Sequence, residues 1–233
     1  MFEDVLVILQ NDIWLALLVA FIAYILGDIN FSIIVSKATA DDDIRDHGSG
    51  NAGATNVLRT YGKRAAIFTA IGDVGKAVLA VFLGKYLMAS FATSGVSADH
   101  LKLFGGYIAG LFCVLGHIFP AMFSFRGGKG ILAGLGLMLV LDWRAAIIGL
   151  VVFGIVVGIT RYVSLGSIIA ALSIDAALFV FQKFVDKLDL QTVLFCTLVF
   201  SIVVLTVILK HFSNIQRLVH CEENKVHWNK AKK

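Results

Sequence analysis

Residues 13–35 read IWLALLVAFIAYILGDINFSIIV, and Asp28 is the only charge in the run. A helix that crosses the hydrocarbon core of a bilayer needs about 20 mostly apolar residues, so this stretch reads as a membrane span. An acidic start (Glu3, Asp4, Asp12) precedes it, and no small-residue cleavage site follows. It is therefore expected to be a retained first span and not a signal peptide.

The pattern repeats along the chain. Apolar runs of spanning length occupy residues 65–84, 103–123, 145–160, 167–182 and 192–209. A shorter run, 131–141, lies between Lys129 and the triplet Asp142-Trp143-Arg144. Of 233 residues, 58% are hydrophobic and 15% charged, and the mean hydropathy is +0.87. A soluble domain carries about a quarter charged residues, and a core of this size cannot hide the excess. The fold class is all-α: a polytopic membrane bundle of about seven helices, residues 1–233 forming a single integral membrane domain. Of the three cysteines, Cys113 and Cys196 sit in apolar runs and Cys221 in the polar tail. Nothing in their spacing points to zinc.

Seven spans place the termini on opposite sides. Loops 37–64 and 124–130, the turn at Arg161 and the tail from Lys210 then share one face and carry most of the 20 Lys and Arg. The positive-inside rule makes that face cytoplasmic and puts the N-terminus outside. Lys230, Lys232 and Lys233 are expected at anionic headgroups.

That face also holds the polar motifs. HGSGNAGATN, residues 47–56, contains a complete GxGxxG. A dinucleotide loop would need a buried strand before it, and DDDIRDH is no such strand. The local physics remains: closely spaced glycines let successive N–H groups converge on an anion, and a helix starting near Ala52 adds partial positive charge. Candidate anion ligands are Gly48, Gly50 and Gly53 with Ser49, Asn51, Asn56 and the guanidinium of Arg59. In FRGGKG, residues 125–130, Lys129 stands among Gly127, Gly128 and Gly130, a second candidate phosphate grip. TRYVSLGS, residues 160–167, offers Arg161, Ser164 and Ser167, the serines sharing a helical face. KHFSNIQRL, residues 210–218, places His211 and Asn214 on one face. Within the spans Asp73 and Lys76 are three apart and read as a structural ion pair; Asp28 and Asp175 have no evident partner. A polar turn or simple membrane anchoring explains each motif alone. Four on one face suit a small, multiply anionic substrate beside a lipid. An organic-phosphate transporter is the rival reading, but such sites lie near the midplane and often within repeats, and no repeat is visible.

DIRDHGSGNAGATNVLR, GHIFPAMFSFRGGKG, TRYVSLGS and LKHFSNIQRL, in this order, resemble the motifs of the PlsY-type acyl-phosphate:glycerol-3-phosphate acyltransferases of bacteria; GDVGKA, around Asp73 and Lys76, resembles that family's second-span pattern. The resemblance covers residues 27–225. It implies a multi-pass bacterial cell-membrane enzyme with its active site at the cytoplasmic face. It implies acyl transfer from acyl phosphate to the 1-hydroxyl of glycerol 3-phosphate, yielding lysophosphatidic acid and inorganic phosphate. No cofactor, no metal and no nucleic acid partner is implied, and the protein is expected to act as a monomer among membrane lipid. By motif match the functional positions fall on Ser49, Arg59, Lys129, Ser164, His211 and Asn214. Departures are GDINFS where the family reads GSIPFG, Ala133 for a threonine after GGKG, and CEENK for GTEPK. The expected mechanism is direct transfer. His211 is either base or positioner, and an acyl-enzyme on Ser49 is a lesser alternative.

Overall fold

The computed structural model describes residues 1–226, which form helices, turns and no strand. Lys230, Lys232 and Lys233 lie outside the described residues. The chain opens with a short helix α1 (Phe2–Asn11). The carboxylate of Asp12 ends it by accepting from Thr93 N (2.8 Å), Thr93 Oγ1 (2.9 Å) and Ser94 N (3.0 Å) across the bundle.

The first apolar run is two helices where the sequence reads as one. α2 (Ile13–Asp28) stops and α3 (Phe31–Ala40) starts afresh, because Asn30 Oδ1 accepts from Ser32 N (3.1 Å) and Ile33 N (3.3 Å). An asparagine that caps new amides interrupts a helix without any proline. Then come α4 (Ala54–Tyr61), α5 (Lys63–Phe91), α6 (Ala98–Ile118), α7 (Ile131–Leu141), α8 (Trp143–Thr160), α9 (Val163–Val180), α10 (Leu190–Lys210) and α11 (Phe212–Val219). Six helical stretches are long and apolar enough to cross a membrane, and α7 is a shorter apolar seventh. Asp142 alone separates α7 from α8, capping α8 at Arg144 N and Ala145 N.

Glycines set the helix crossings. A Cβ on Gly27 would strike the Cys113 carbonyl, and one on Gly116 the Tyr24 carbonyl, so α2 and α6 touch backbone to backbone. Gly84 and Gly105 do the same for α5 and α6. Close backbone approach through small residues is the normal way helices associate where lipid supplies no hydrophobic drive. Outside, large apolar side chains face away from the bundle; Trp14 is 81% exposed and Ile159 78%. Lipid is the solvent such a surface fits.

The ionisable groups within the spans each have a partner. Asp28 accepts from the Met122 amide (3.1 and 3.2 Å to its two oxygens), and Asp175 from the Ser201 hydroxyl (2.7 Å). Lys76 Nζ lies 3.0 Å from Asp73 Oδ1, the expected pair. It also donates to the last carbonyls of the broken first span, Gly27 O (2.9 Å) and Ile29 O (2.7 Å).

Candidate active site

The two glycine loops, distant in sequence, are fastened together. Arg45 binds Asp43 (2.7 Å) and reaches across to donate to Phe123 O (2.9 Å), just before the second loop. The hydrogen bond from Arg45 holds the Asp43 carboxyl below its ordinary range. In the second loop, Gly128 N–H donates to His117 O (3.1 Å). A Cβ on Gly127 would meet that same carbonyl and Pro120; one on Gly128 would meet the His117 ring and the Ala52 carbonyl. The second loop is thus pressed between the end of α6 and the first loop, where only glycine fits.

The first loop is knotted on Asn56. Gly48 and Gly50 take left-handed φ values of +57° and +69°. Asn56 Nδ2 donates to the carbonyls of Ile44 (3.1 Å), His47 (2.9 Å) and Asn51 (3.1 Å), and its Oδ1 accepts from Ser49 N (3.1 Å). Asn56 therefore shapes the loop, and its amide is not free to bind an anion as the sequence reading expected. The amides of Gly50 and Gly53 are also used internally, on His47 O and Asn51 O. What remains open is the start of α4. Among the described residues no acceptor is bonded to the amides of Ala54 and Thr55. The helix N-terminus begins two residues later than expected and supplies the partial positive charge.

These loops wall a cavity of about 710 Å³. Gly48, Ser49, Asn51, Gly53, Asn56 and Arg59 line one side; Lys129, Gly130, Ser164, Ser167, His211 and Asn214 line the other. All six positions carried by the motif match, Ser49, Arg59, Lys129, Ser164, His211 and Asn214, are in this wall. Gly50, Gly127 and Gly128 shape the loops without lining it. Arg161 stands apart and exposed: it ends α8 in a left-handed turn, its carbonyl accepting from Val226 N (2.9 Å).

The electrostatics centre on a residue the sequence reading missed. Glu223 accepts from Ser164 Oγ (2.9 Å), Asn214 Nδ2 (2.8 Å) and Arg217 Nε (2.8 Å), and Asn214 Oδ1 in turn accepts from Lys129 Nζ. One carboxylate thereby orients a hydroxyl, an amide and, through the amide, the loop lysine. Burial pushes Lys129 down to about 8, opposed by the charge of Glu223. His211 is buried and pushed down to about 4, so it is neutral at pH 7. Its Nδ1–H donates to Val207 O (2.8 Å), which leaves Nε2 with the lone pair. Lys63, Asp73, His117 and Arg217 also line the cavity. Arg217 and Glu223 lie in a polar tail whose pairing depends on the fold; His117 lies inside a quoted motif but in an apolar run.

Beside the cavity is an apolar slot of about 120 Å³ between α7, α8, α9 and α10. Gly130, Ile131, Leu132, Phe153 and Ser167 line both. A polar, cationic chamber therefore opens onto a space for hydrocarbon.

Comparison with known proteins fits this layout. The family model Glycerol-3-phosphate acyltransferase matches residues 17–221. The glycerol-3-phosphate acyltransferase of Clostridioides difficile (strain 630) is 42% identical over 215 residues, covering 92% of this chain and 97% of that protein. That of Finegoldia magna (strain ATCC 29328 / DSM 20472 / WAL 2508) is 35% identical, covering 93% and 98%. Crystal structures of PlsY (YgiH), an integral membrane glycerol 3-phosphate acyltransferase, superpose with a TM-score of 0.72. The glycerol 3-phosphate form is 31% identical, covering 91% of this chain and 96% of that one; the lysophosphatidic acid form is 30% identical, covering 91% and 95%. With nearly the whole chain matched and the cationic cavity assembled from the motifs, the chain belongs to the glycerol-3-phosphate acyltransferase family.

Proposed function

We propose that this membrane enzyme transfers a fatty acyl group from acyl phosphate to the 1-hydroxyl of glycerol 3-phosphate. The observation that carries the reading is the convergence of Lys129, Arg59, Ser164, His211 and Asn214 on one cavity that continues into an apolar slot. The acyl chain enters the slot, each buried methylene contributing about 0.8 kcal/mol. Arg59, Lys129 and the N-terminus of α4 hold the phosphates and stabilise charge gathering on the leaving group. The hydroxyl oxygen attacks the acyl carbon. An ester C–O bond forms, the bond from the acyl carbon to the phosphate oxygen breaks, and the hydroxyl proton ends on the departing phosphate.

His211 fits the part of positioner. A group of pKa about 4 is a weaker proton acceptor than a phosphate, whose second ionisation lies near about 6. Nε2 of His211 accepts the hydroxyl's hydrogen bond and aims its oxygen. Ser49 has no side-chain partner that serves as a base among the described residues, which favours direct transfer over an acyl-enzyme. The concentration of Lys and Arg on the cavity side favours a cytoplasmic active site in the cell membrane.

The test is phosphate release by purified protein in a lipid mesophase, given palmitoyl phosphate and glycerol 3-phosphate, with and without Lys129→Ala. Release that needs both substrates and is lost with the substitution supports the reading. Well-folded protein that releases nothing, but moves glycerol 3-phosphate into sealed vesicles, would make it a transporter.

A further inference from the structure

We propose that His117 is a further substrate-phosphate ligand, donating through Nε2–H, and that Lys76 and Asp73 hold its ring in that tautomer. The proton count supports this. Lys76 Nζ has three protons and makes three hydrogen bonds of usable angle, to Gly27 O (2.9 Å), Ile29 O (2.7 Å) and His117 Nδ1 (3.0 Å), while Asp73 Oδ1, also 3.0 Å away, lies off a usable angle. An ammonium cannot accept, so the ring nitrogen facing it carries the lone pair. The competing partner for Nδ1 is Asp73 Oδ1, farther away at 3.4 Å and without a hydrogen bond of usable angle. Asp73 neutralises the ammonium from 3.0 Å and leaves the ring to it. The ring proton therefore sits on Nε2.

Nε2 has no hydrogen-bond partner among the described residues, although the His117 side chain is only 4% exposed. It lies beside Gly128, the neighbour of Lys129, and His117 lines the cavity wall. A ring N–H that no described protein group accepts, set at the wall of an anion chamber, is a donor free for a phosphate oxygen. The inference rests on the reading that this cavity binds the substrate phosphates.

The test pairs spectroscopy with two isosteres. Histidine ¹⁵N spectra of the full-length protein, with the His117 resonance assigned by its loss in His117→Gln, should show Nδ1 bare and Nε2 protonated. The Nε2 signal should move when glycerol 3-phosphate or inorganic phosphate is added. His117→Asn keeps an acceptor for Lys76 but loses the distal donor; it should raise KM or lower kcat roughly 10- to 100-fold. His117→Gln, whose amide reaches where Nε2 stands, should recover most of that loss. The substrate whose KM moves, acyl phosphate or glycerol 3-phosphate, identifies the phosphate held. A ring protonated on Nδ1, a resonance blind to phosphate, or equal kinetics in the two variants would overturn the proposal. The spectrum of the native protein decides even where a variant fails to fold. Lys129→Ala runs alongside. If it weakens phosphate binding while His117 is silent, this inference alone fails; if it has no effect, the cavity reading fails with it.

Discussion

A single carboxylate governs how strongly the chamber attracts anions. Glu223 pulls against the burial of Lys129, whose charge is lost as pH rises through about 8. Glu223→Gln removes that pull, so the pKa of Lys129 falls further. The alkaline limb of kcat/KM then moves to lower pH, and kcat/KM at pH 7 drops roughly tenfold or more. An unmoved limb would separate Glu223 from the lysine. His211 makes a prediction of opposite kind. Its folded pKa of about 4 lies below the ordinary histidine value near 6.5, so the unfolded chain binds a proton that the folded one refuses. Stability is lost as pH falls through that window. Melting curves taken from pH 7 to 4.5 should decline more steeply for the native chain than for His211→Gln; parallel declines would count against it. Residue roles were partly legible in the sequence. Lys129 and His211 stand in motifs whose chemistry is local. Glu223 acts only because the tail folds back on α9 and α11, and Asn56 looks like a ligand until its amide is seen spent on three carbonyls.

Helices were legible where their cause is local. Five of the six long apolar runs each mark one long helix, the first is split into α2 and α3, and the short 131–141 run is the short helix α7 (Ile131–Leu141). The break between α2 and α3 is not legible in the sequence because its cause is one asparagine turning from chain continuation to capping. Helix contact is likewise invisible in a list of 22 glycines, which look alike in sequence but differ in place. Gly116 lies against the backbone of α2, whereas Gly154 has nothing within 4 Å of a built Cβ. Gly116→Ala should pry α2 from α6 and cost about 1 to 3 kcal/mol, seen as a clear drop in melting temperature. Gly154→Ala should leave it unchanged or slightly raised. Similar behaviour of the two would refute the close crossing.

At the scale of the molecule, composition alone announces a membrane protein, while sidedness comes only from the spread of charge. The chain carries its own reporter for that. Cys221 is exposed next to the cavity tail, whereas Cys113 and Cys196 are buried. A membrane-impermeant maleimide should spare intact spheroplasts and label inside-out vesicles, with Cys221→Ser abolishing the signal. Labelling from outside would invert the orientation. The bond from Lys76 to the open end of α2 bears on how such a molecule is made. Released alone into lipid, the first segment would leave Gly27 and Ile29 carbonyls bare, and the segment bearing Lys76, though its charge is paired with Asp73, would leave two ammonium protons without acceptors. Each is a poor passenger alone and a good one as a pair. The two segments are therefore expected to enter the bilayer together as a hairpin.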